Sequence, residues 1–258
     1  MFVTTAGRTN QEMMNRAVEI AAKLEVPYLP RKKKSIHQLQ EKTNSDCLVV
    51  GKERLELFEK GSPLPFFFHP NSAMFRIKRL LRGEHDPFAE AAQLSSGMTV
   101  LDCTLGLASD AIVASFLVGK EGQVIGIEGQ KFLSYVVKEG LKEWDSGLPS
   151  MNEAMDRVTV IHTTAVNYLK TQGDDSVDCV YFDPMFEETI LDSVGIQGLA
   201  QFAIQDDLTE EIIKEALRVA KKRVLLKDHY KSSRFDRFGF RVNRRKTAKF
   251  HFGFIEKN

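Results

Sequence analysis

Val100-Leu101-Asp102-Cys103-Thr104-Leu105-Gly106-Leu107-Ala108-Ser109-Asp110 is a short apolar run ending in an acid, then a turn of small residues, then the opening of the periodic apolar stretch 111–118. The spacing predicts a strand, a tight loop and a helix start. Small residues in such a loop let a ligand lie against bare backbone N–H groups at the positive end of the helix. Apolar runs and helical stretches continue to alternate downstream, the pattern of a nucleotide-binding α/β sheet.

The loop narrows the ligand. A dinucleotide fingerprint asks for G-x-G-x-x-G, whereas Thr104, Gly106 and Ala108 supply one glycine of three. An acid at the strand end, Asp102, is more typical of sites for S-adenosylmethionine (SAM), where a carboxylate attracts the ammonium and sulfonium charges. SAM therefore stands ahead of a nicotinamide cofactor, which stays open at this point. Glu128 closes a second strand, 123–128, and lies 26 residues beyond Asp102. That spacing suits a carboxylate that receives both ribose hydroxyls of a nucleoside; a helix cap is the alternative.

The 258 residues hold 36 Lys and Arg against 35 Asp and Glu and are 43% hydrophobic, which fits a folded chain able to bury a core. No apolar run approaches the roughly 18 residues a membrane span needs. Met1–Gly7 lacks the charged start and apolar middle of a signal peptide. Cys47, Cys103 and Cys179 are widely spaced and read as buried thiols, not as a disulfide frame or metal site, so a cytoplasmic address is expected. The net charge of +1 hides an asymmetry: residues 1–99 carry +4, 100–220 carry −13 and 221–258 carry +10. Basic ends can present a positive face to a polyanion, or simply pair with the acidic middle.

Before the central strand, the pattern predicts a strand at 2–5, a helix at 10–24 capped by Thr9 with Glu12 closing a capping box, and strands at 46–50 and 65–68. Arg31-Lys32-Lys33-Lys34 is either a solvated loop or a phosphate contact. A short helix over 73–83 carries a basic face at Arg76, Arg79 and Arg82. Asp86 and Pro87 open another helix that Gly97 closes. A small α/β module over 1–85 and a ligand-binding domain over 86–258 are the expected division.

After the second strand come a helix at 130–143, a stretch 144–154 that is either connection or helix, and a strand at 158–162. Thr164 is a candidate adenine contact, and His162 reads as a structural strand-end histidine. The next strand, 177–182, ends in Asp183-Pro184-Met185-Phe186. An acid, a proline and an aromatic at the carboxyl end of a buried strand match the D/N-P-P-Y/F pattern of methyltransferases that act on planar amino groups. Such an amine's lone pair is delocalised into its ring. Asp183 and the Pro184 carbonyl can accept the two N–H bonds and turn the lone pair toward a methyl donor, while Phe186 can stack on the ring. Residues 187–208 read as a lid or substrate loop. A helix capped by Thr209 and closed by Lys221-Lys222-Arg223, a strand at 224–226 with Lys227 at its tip, and a basic hairpin over 238–255 around Arg244-Arg245-Lys246 complete the chain.

With these residues placed, the chain resembles class I SAM-dependent methyltransferases, and more narrowly the J family of small-subunit ribosomal RNA methyltransferases, from about Phe67 to Tyr230. The likeness is carried by Ala73-Met74 with its basic helix, Asp102-x-Thr104-x-Gly106-Leu107-x-x-Asp110-Ala111, Glu128, His162, Asp183-Pro184-Met185-Phe186, and Arg223-Val224 through Lys227. It implies a Rossmann-like sheet with a terminal antiparallel hairpin, SAM as cofactor, and the exocyclic amine of a guanine in RNA of the small ribosomal subunit as target. It also implies cofactor contacts at Ser109, Asp110, Glu128, Gly129, Thr164, Ala165 and Asp183, beside Asp102, Thr104 and Gly106 of the loop. Ala108, Ser109 and Ala165 stand where the family has glycine, arginine and serine. Glu187 and Glu188 follow Phe186 where the family is basic. Methylation of a small molecule or protein amide is the rival activity, and a non-catalytic SAM- or RNA-binding protein is the rival class.

Overall fold

The computed structural model describes residues 1–184, 202, 208–245 and 248–257. Met185, Phe186, Glu187 and Glu188, the rest of the connection 187–208 apart from Phe202 and Leu208, and Lys246 lie outside the described residues.

The first unit is a three-stranded sheet in the order β1 (Phe2–Thr5), β2 (Cys47–Val50), β3 (Leu55–Phe58), with β1 and β2 parallel and β2 and β3 antiparallel. Four-residue strands buried on both faces suit the continuous apolar runs of β1 and β2. Helix α1 (Gln11–Leu24) crosses between them, and α2 (Ile36–Thr43) precedes β2. Two expectations change here. Asn10, not Thr9, caps α1, its side chain accepting from the Met13 N–H at 2.8 Å. Of the strand expected at 65–68, only Phe66 pairs, bridging Leu57, because β3 takes the place next to β2. Helix α2 adds to the expected elements, with Ser35 and Gln38 forming its capping box.

Helices α3 (Asn71–Leu80) and α4 (Pro87–Ala92) lead into the main sheet. Asp86 caps α4, accepting from the Phe88 and Ala89 N–H groups at 3.1 Å, and the helix stops at Gln93 in the left-handed region, four residues before Gly97. The main sheet comprises β4 (Thr99–Asp102), β5 (Gln123–Glu128), β6 (Val158–His162), β7 (Val177–Phe182), β8 (Ala220–His229), β9 (Arg241–Asn243) and β10 (Phe250–Glu256), in the order β6-β5-β4-β7-β8-β10-β9. β6 through β8 are mutually parallel; β10 runs antiparallel to β8 and to β9. This is a Rossmann-like α/β sheet with a terminal antiparallel hairpin.

Helix α5 (Ser109–Val118) follows β4, and its near-uniform apolar surface reflects burial on both sides, against the sheet and beneath α3, α4 and α7 (Pro149–Asp156). Most of the stretch left open at 144–154 is thus helical. α6 (Lys131–Glu143), α8 (Ala165–Thr171), α9 (Glu210–Val219) and α10 (Arg234–Arg237) complete the described helices. Lys221, Lys222 and Arg223 belong to β8, not to the end of α9. The strand extends this far because it pairs on both sides, and the buried Arg223 donates to Ala91 O at 2.6 Å and to Glu256 at 2.7 Å.

One apolar core joins the two units: Val3, Leu48, Leu57, Phe66 and Phe68 belong to the same buried cluster as Val100, Ile112, Val136 and Tyr181. Phe68 lies so close to α6 that a Cβ on Gly140 would sit 2.3 Å from its ring. The boundary expected near residue 85 falls between α3 and α4, both packed on α5.

Candidate active site

The chain steps outward from β4 to β5 and β6, then returns across the sheet to β7 on the other side of β4. In open α/β sheets this reversal opens a crevice at the strands' carboxyl ends, where ligands bind. The tips of β4 and β7 form it here, and hydrogen bonds join them. Thr104 Oγ1 accepts the Asp183 N–H at 2.6 Å, and Asp102 Oδ1 accepts the Thr104 N–H at 3.0 Å. On the β5 side, Glu128 accepts the Gly106 N–H at 3.3 Å with one oxygen and the Gln130 N–H at 2.9 Å with the other. A Cβ on Gly126 would lie 2.3 Å from Leu105 Cδ1, so glycine in β5 lets the loop after β4 rest on the strand.

Asp102, Thr104, Gly106, Glu128 and Asp183 thus come together along one line of strand ends. Glu128 is buried, which pushes its pKa up. Burial and the nearby Asp110 and Asp183 carboxylates push Asp102 to about 8, although the Thr104 N–H favours its charged form. Ser109 and Asp110 open α5, whose first-turn N–H groups have no acceptor within the helix. Ala108 caps α5 with φ 59°, a left-handed conformation suited to glycine. Thr164 caps α8, accepting the Asn167 N–H at 3.4 Å, and Ala165 begins that helix. Gly129 directs its carbonyl to His162 Nε2 at 3.1 Å, which gives that histidine a structural partner.

Asp110 holds an interior position that the spacing did not reveal. Its Oδ1 accepts from Arg76 at 2.5 Å, and its Oδ2 accepts from Tyr181 at 2.9 Å and Lys227 at 3.4 Å. Arg76 also grips Asp86 with two nitrogens, at 2.7 and 2.9 Å, and Lys227 donates to Asp183 Oδ2 at 2.6 Å. Three carboxylates therefore share two cations in a largely buried network. Burial opposes charge at Asp110, but Lys227 and Arg76 outweigh it and hold that carboxyl below its usual range. The acids in turn raise the Arg76 and Lys227 pKa values despite burial. Asp183 stands at one end of this network, with Lys227 as its cation. Burial, with repulsion from Asp110, pushes it up to about 6 against the pull of Lys227.

The sequence pattern marked Arg76 only as part of a basic face and Lys227 only as a strand tip. Beside Lys227, the Phe250 ring lies 5.0 Å from its ammonium, and Tyr230, 48% exposed, stands three residues further along the same chain with the His229 ring at 4.5 Å. Pro184 is buried at the β7 tip. Phe186, the expected stacking residue, falls outside the described residues.

The donor set fits SAM. Carboxylates end β4 and β5, an acid ends β7, and the loop between β4 and α5 presents its backbone. Comparisons with known proteins agree. The family described as "Putative SAM-dependent methyltransferase" matches residues 31–248. A protein of Bacillus subtilis (strain 168), "Uncharacterized protein YpiP", is 48% identical over 99% of both chains. The ribosomal RNA small subunit methyltransferase J of Francisella tularensis subsp. novicida (strain U112) is 30% identical over 63% of this chain and 66% of its own length. That of Hydrogenovibrio crunogenus is 30% identical over 56% and 53%. The chain thus spans between half and two thirds of these two relatives. The crystal structure of the SAM-dependent methyltransferase NGO1261 from Neisseria gonorrhoeae shares the fold, with a TM-score of 0.65 at 18% identity over 99% of this chain and 96% of that one.

Proposed function

The chain belongs to the SAM-dependent methyltransferase family, and from that premise we propose that it methylates the exocyclic amine of a guanine in ribosomal RNA. The observation that carries this reading is the β7 tip. Asp183 sits at the crevice with its backbone tied to Thr104 and one carboxylate oxygen held by Lys227 at 2.6 Å. A strand end built this way, followed by Pro184, suits an amine that must be held by its N–H bonds. The relatives named ribosomal RNA small subunit methyltransferase J support RNA as the substrate class.

When bound, SAM supplies an electrophilic methyl group on a sulfonium centre. Asp102, Thr104, Gly106, Ser109, Asp110, Glu128, Gly129, Thr164, Ala165 and Asp183 are proposed to hold it. Glu128 does so through lone pairs left over from its two backbone contacts, and Asp110 through its backbone N–H, since its carboxylate already faces Arg76, Tyr181 and Lys227. The proposed catalytic residues are Asp183, Pro184 and Phe186. Lys227 fixes the rotation of the Asp183 carboxylate, which retains lone pairs for an amine N–H. Accepting that bond directs the nitrogen's lone pair out of the ring plane. The chain's contribution is mainly positioning, an effect that can reach about 7–11 kcal/mol. A paired base would first have to leave its stack at a cost of a few kcal/mol, so a single-stranded loop is the easier target.

The test is transfer of radiolabelled methyl from SAM to small ribosomal subunits and to protein-free RNA from cells lacking this protein, with Asp183→Ala in parallel. Label in guanosine with the wild type alone is the expected result. SAM binding without RNA labelling would overturn the RNA reading and favour a small-molecule or protein amide, which the acidic Glu187 and Glu188 tolerate better. Identical behaviour of wild type and Asp183→Ala would favour a non-catalytic binding protein.

A further inference from the structure

Four consecutive cations repel one another, yet Arg31-Lys32-Lys33-Lys34 is folded into a tight turn. The Lys34 N–H donates to the Arg31 carbonyl at 2.9 Å, and Lys32 and Lys33 both adopt left-handed φ, 44° and 66°. Two positive φ values across a hydrogen-bonded turn define the primed type, whose central positions favour asparagine and glycine. Lysine is strained there. The turn is also stapled: Arg31 Nε donates to Lys34 O at 2.8 Å, and its Nη1 to Thr5 O at 3.4 Å, at the end of β1. Lys32, Lys33 and Lys34 are exposed, and among the described residues their ammonium groups have no ion-pair or hydrogen-bond partner.

The turn stands at a basic sheet edge. β1 and β2 are parallel, with Thr5 opposite Val50 and the Ala6 N–H donating to Val50 O at 2.9 Å, so the loops after both strands share this edge. They contribute the exposed Arg8 and Lys52, also unpartnered among the described residues, against one unpaired acid, Glu53, since Glu56 is taken by Arg54.

We propose that this edge, centred on Lys32, Lys33 and Lys34, anchors the RNA substrate by its phosphate backbone; the inference rests on the reading of RNA as substrate. Exposed ammonium groups on flexible stems do not converge into a cradle for one small anion, but they match a row of phosphates. The anchor lies away from the chemistry. α1 runs antiparallel to α6, with Arg16 on Glu143 and Lys131 Nζ on Leu24 O. Lys131 opens α6 just after Glu128, so the carboxyl end of α1 meets the crevice side, and the loop joining β1 to α1 lies at the other end. The turn therefore sets affinity and leaves turnover alone.

The test uses the full chain and the double variant Lys32→Asn/Lys33→Gly, which installs the residues this turn prefers. Its thermal midpoint is expected to rise, with SAM affinity and turnover at saturating RNA unchanged. Binding to polyuridylate and to protein-free small-subunit ribosomal RNA is expected to weaken. The slope of log affinity against log salt should fall by about 1.4, two contacts at about 0.7 each for single strands. A fourfold rise in salt then weakens the wild type about sevenfold more than the variant. Lys32→Arg/Lys33→Arg should keep the wild-type slope. A variant with unchanged RNA affinity and slope overturns the anchor while leaving the RNA reading standing. A lowered midpoint or lost SAM binding overturns it by showing a structural role for the lysines. A wild type that neither binds these RNAs nor labels RNA overturns both readings.

Discussion

Replacing Lys227 by methionine removes one charge at nearly constant volume. The wild-type ammonium lies 2.6 Å from Asp183 and 3.4 Å from Asp110, and its side chain is 18% exposed. Asp110 keeps Arg76 at 2.5 Å and Tyr181 at 2.9 Å, so the loss falls on Asp183. Stripping one partner from a buried pair costs about 3–5 kcal/mol. Asp183 retains a quarter of its surface, which places the expected loss near the lower bound, about 3 kcal/mol at about pH 8. The variant's escape is to protonate Asp183. That pKa already stands at about 6 and rises further without Lys227. A carboxyl raised in the folded state binds more protons folded than unfolded, so its contribution to stability falls as pH rises through the window. The gap between variant and wild type should therefore widen by up to about 1.4 kcal/mol per pH unit above about pH 6, and shrink to about 1 kcal/mol near pH 5.5. Urea unfolding followed by circular dichroism and by the single tryptophan, Trp144, measures the gap. Adding Asp183→Asn should recover most of the alkaline loss. A gap that is the same at both pH values, or below about 1 kcal/mol at the higher one, would refute the claim that Lys227 compensates an ionised Asp183.

Three further outcomes follow from the site. An ionised Asp183 accepts an amine N–H more strongly than the protonated acid, so kcat/KM should climb through about pH 6 and then level; a profile flat from about pH 5 to 8 would remove Asp183 from the chemistry. Asp102, at about 8 in the free protein, is mostly protonated at neutral pH, and a cationic ligand beside it favours the ionised form. SAM binding should release a proton near pH 7, seen by calorimetry in two buffers of different ionisation enthalpy, and affinity should rise with pH up to about 8; binding without release would place Asp102 outside the cofactor site. Ala108→Gly relieves a left-handed alanine worth about 1–2 kcal/mol but loses a buried methyl worth about 0.8 kcal/mol and some unfolded-state entropy, so it should be neutral within about 1 kcal/mol. Ala111→Gly in the same helix should cost about 2 kcal/mol; denaturation that ranks the two in the opposite order would contradict the strain at Ala108.

Much of the fold was legible because the signals are local. The loop between β4 and α5, the strand 158–162, the cap at Asp86 and the cap at Thr209 each depend on residues within a few positions of one another. Other local signals were available but lost to competitors. The capping pair Ser35 and Gln38 opens α2 directly after a run of four cations whose own pattern is that of a solvated loop, and Asn10 outcompetes its neighbour Thr9 for the cap of α1. Leu55–Phe58 offered only four residues of alternation, too few to outweigh the more apolar 65–68.

From the amino-acid order alone came the carboxylates at the strand ends, the Asp183-Pro184 tip and the α/β alternation, since period and turn chemistry are written within a few residues. The tertiary structure alone decided what those carboxylates touch. Arg76 meets Asp110 across 34 positions, and Lys227 meets Asp183 across 44 and Asp110 across 117. Those contacts depend on β7 lying between β4 and β8 and on α3 covering α5, neither of which any local pattern encodes. Burial then sets the protonation of Asp102 and Asp183, because the cost of charge depends on how much water the packed elements exclude.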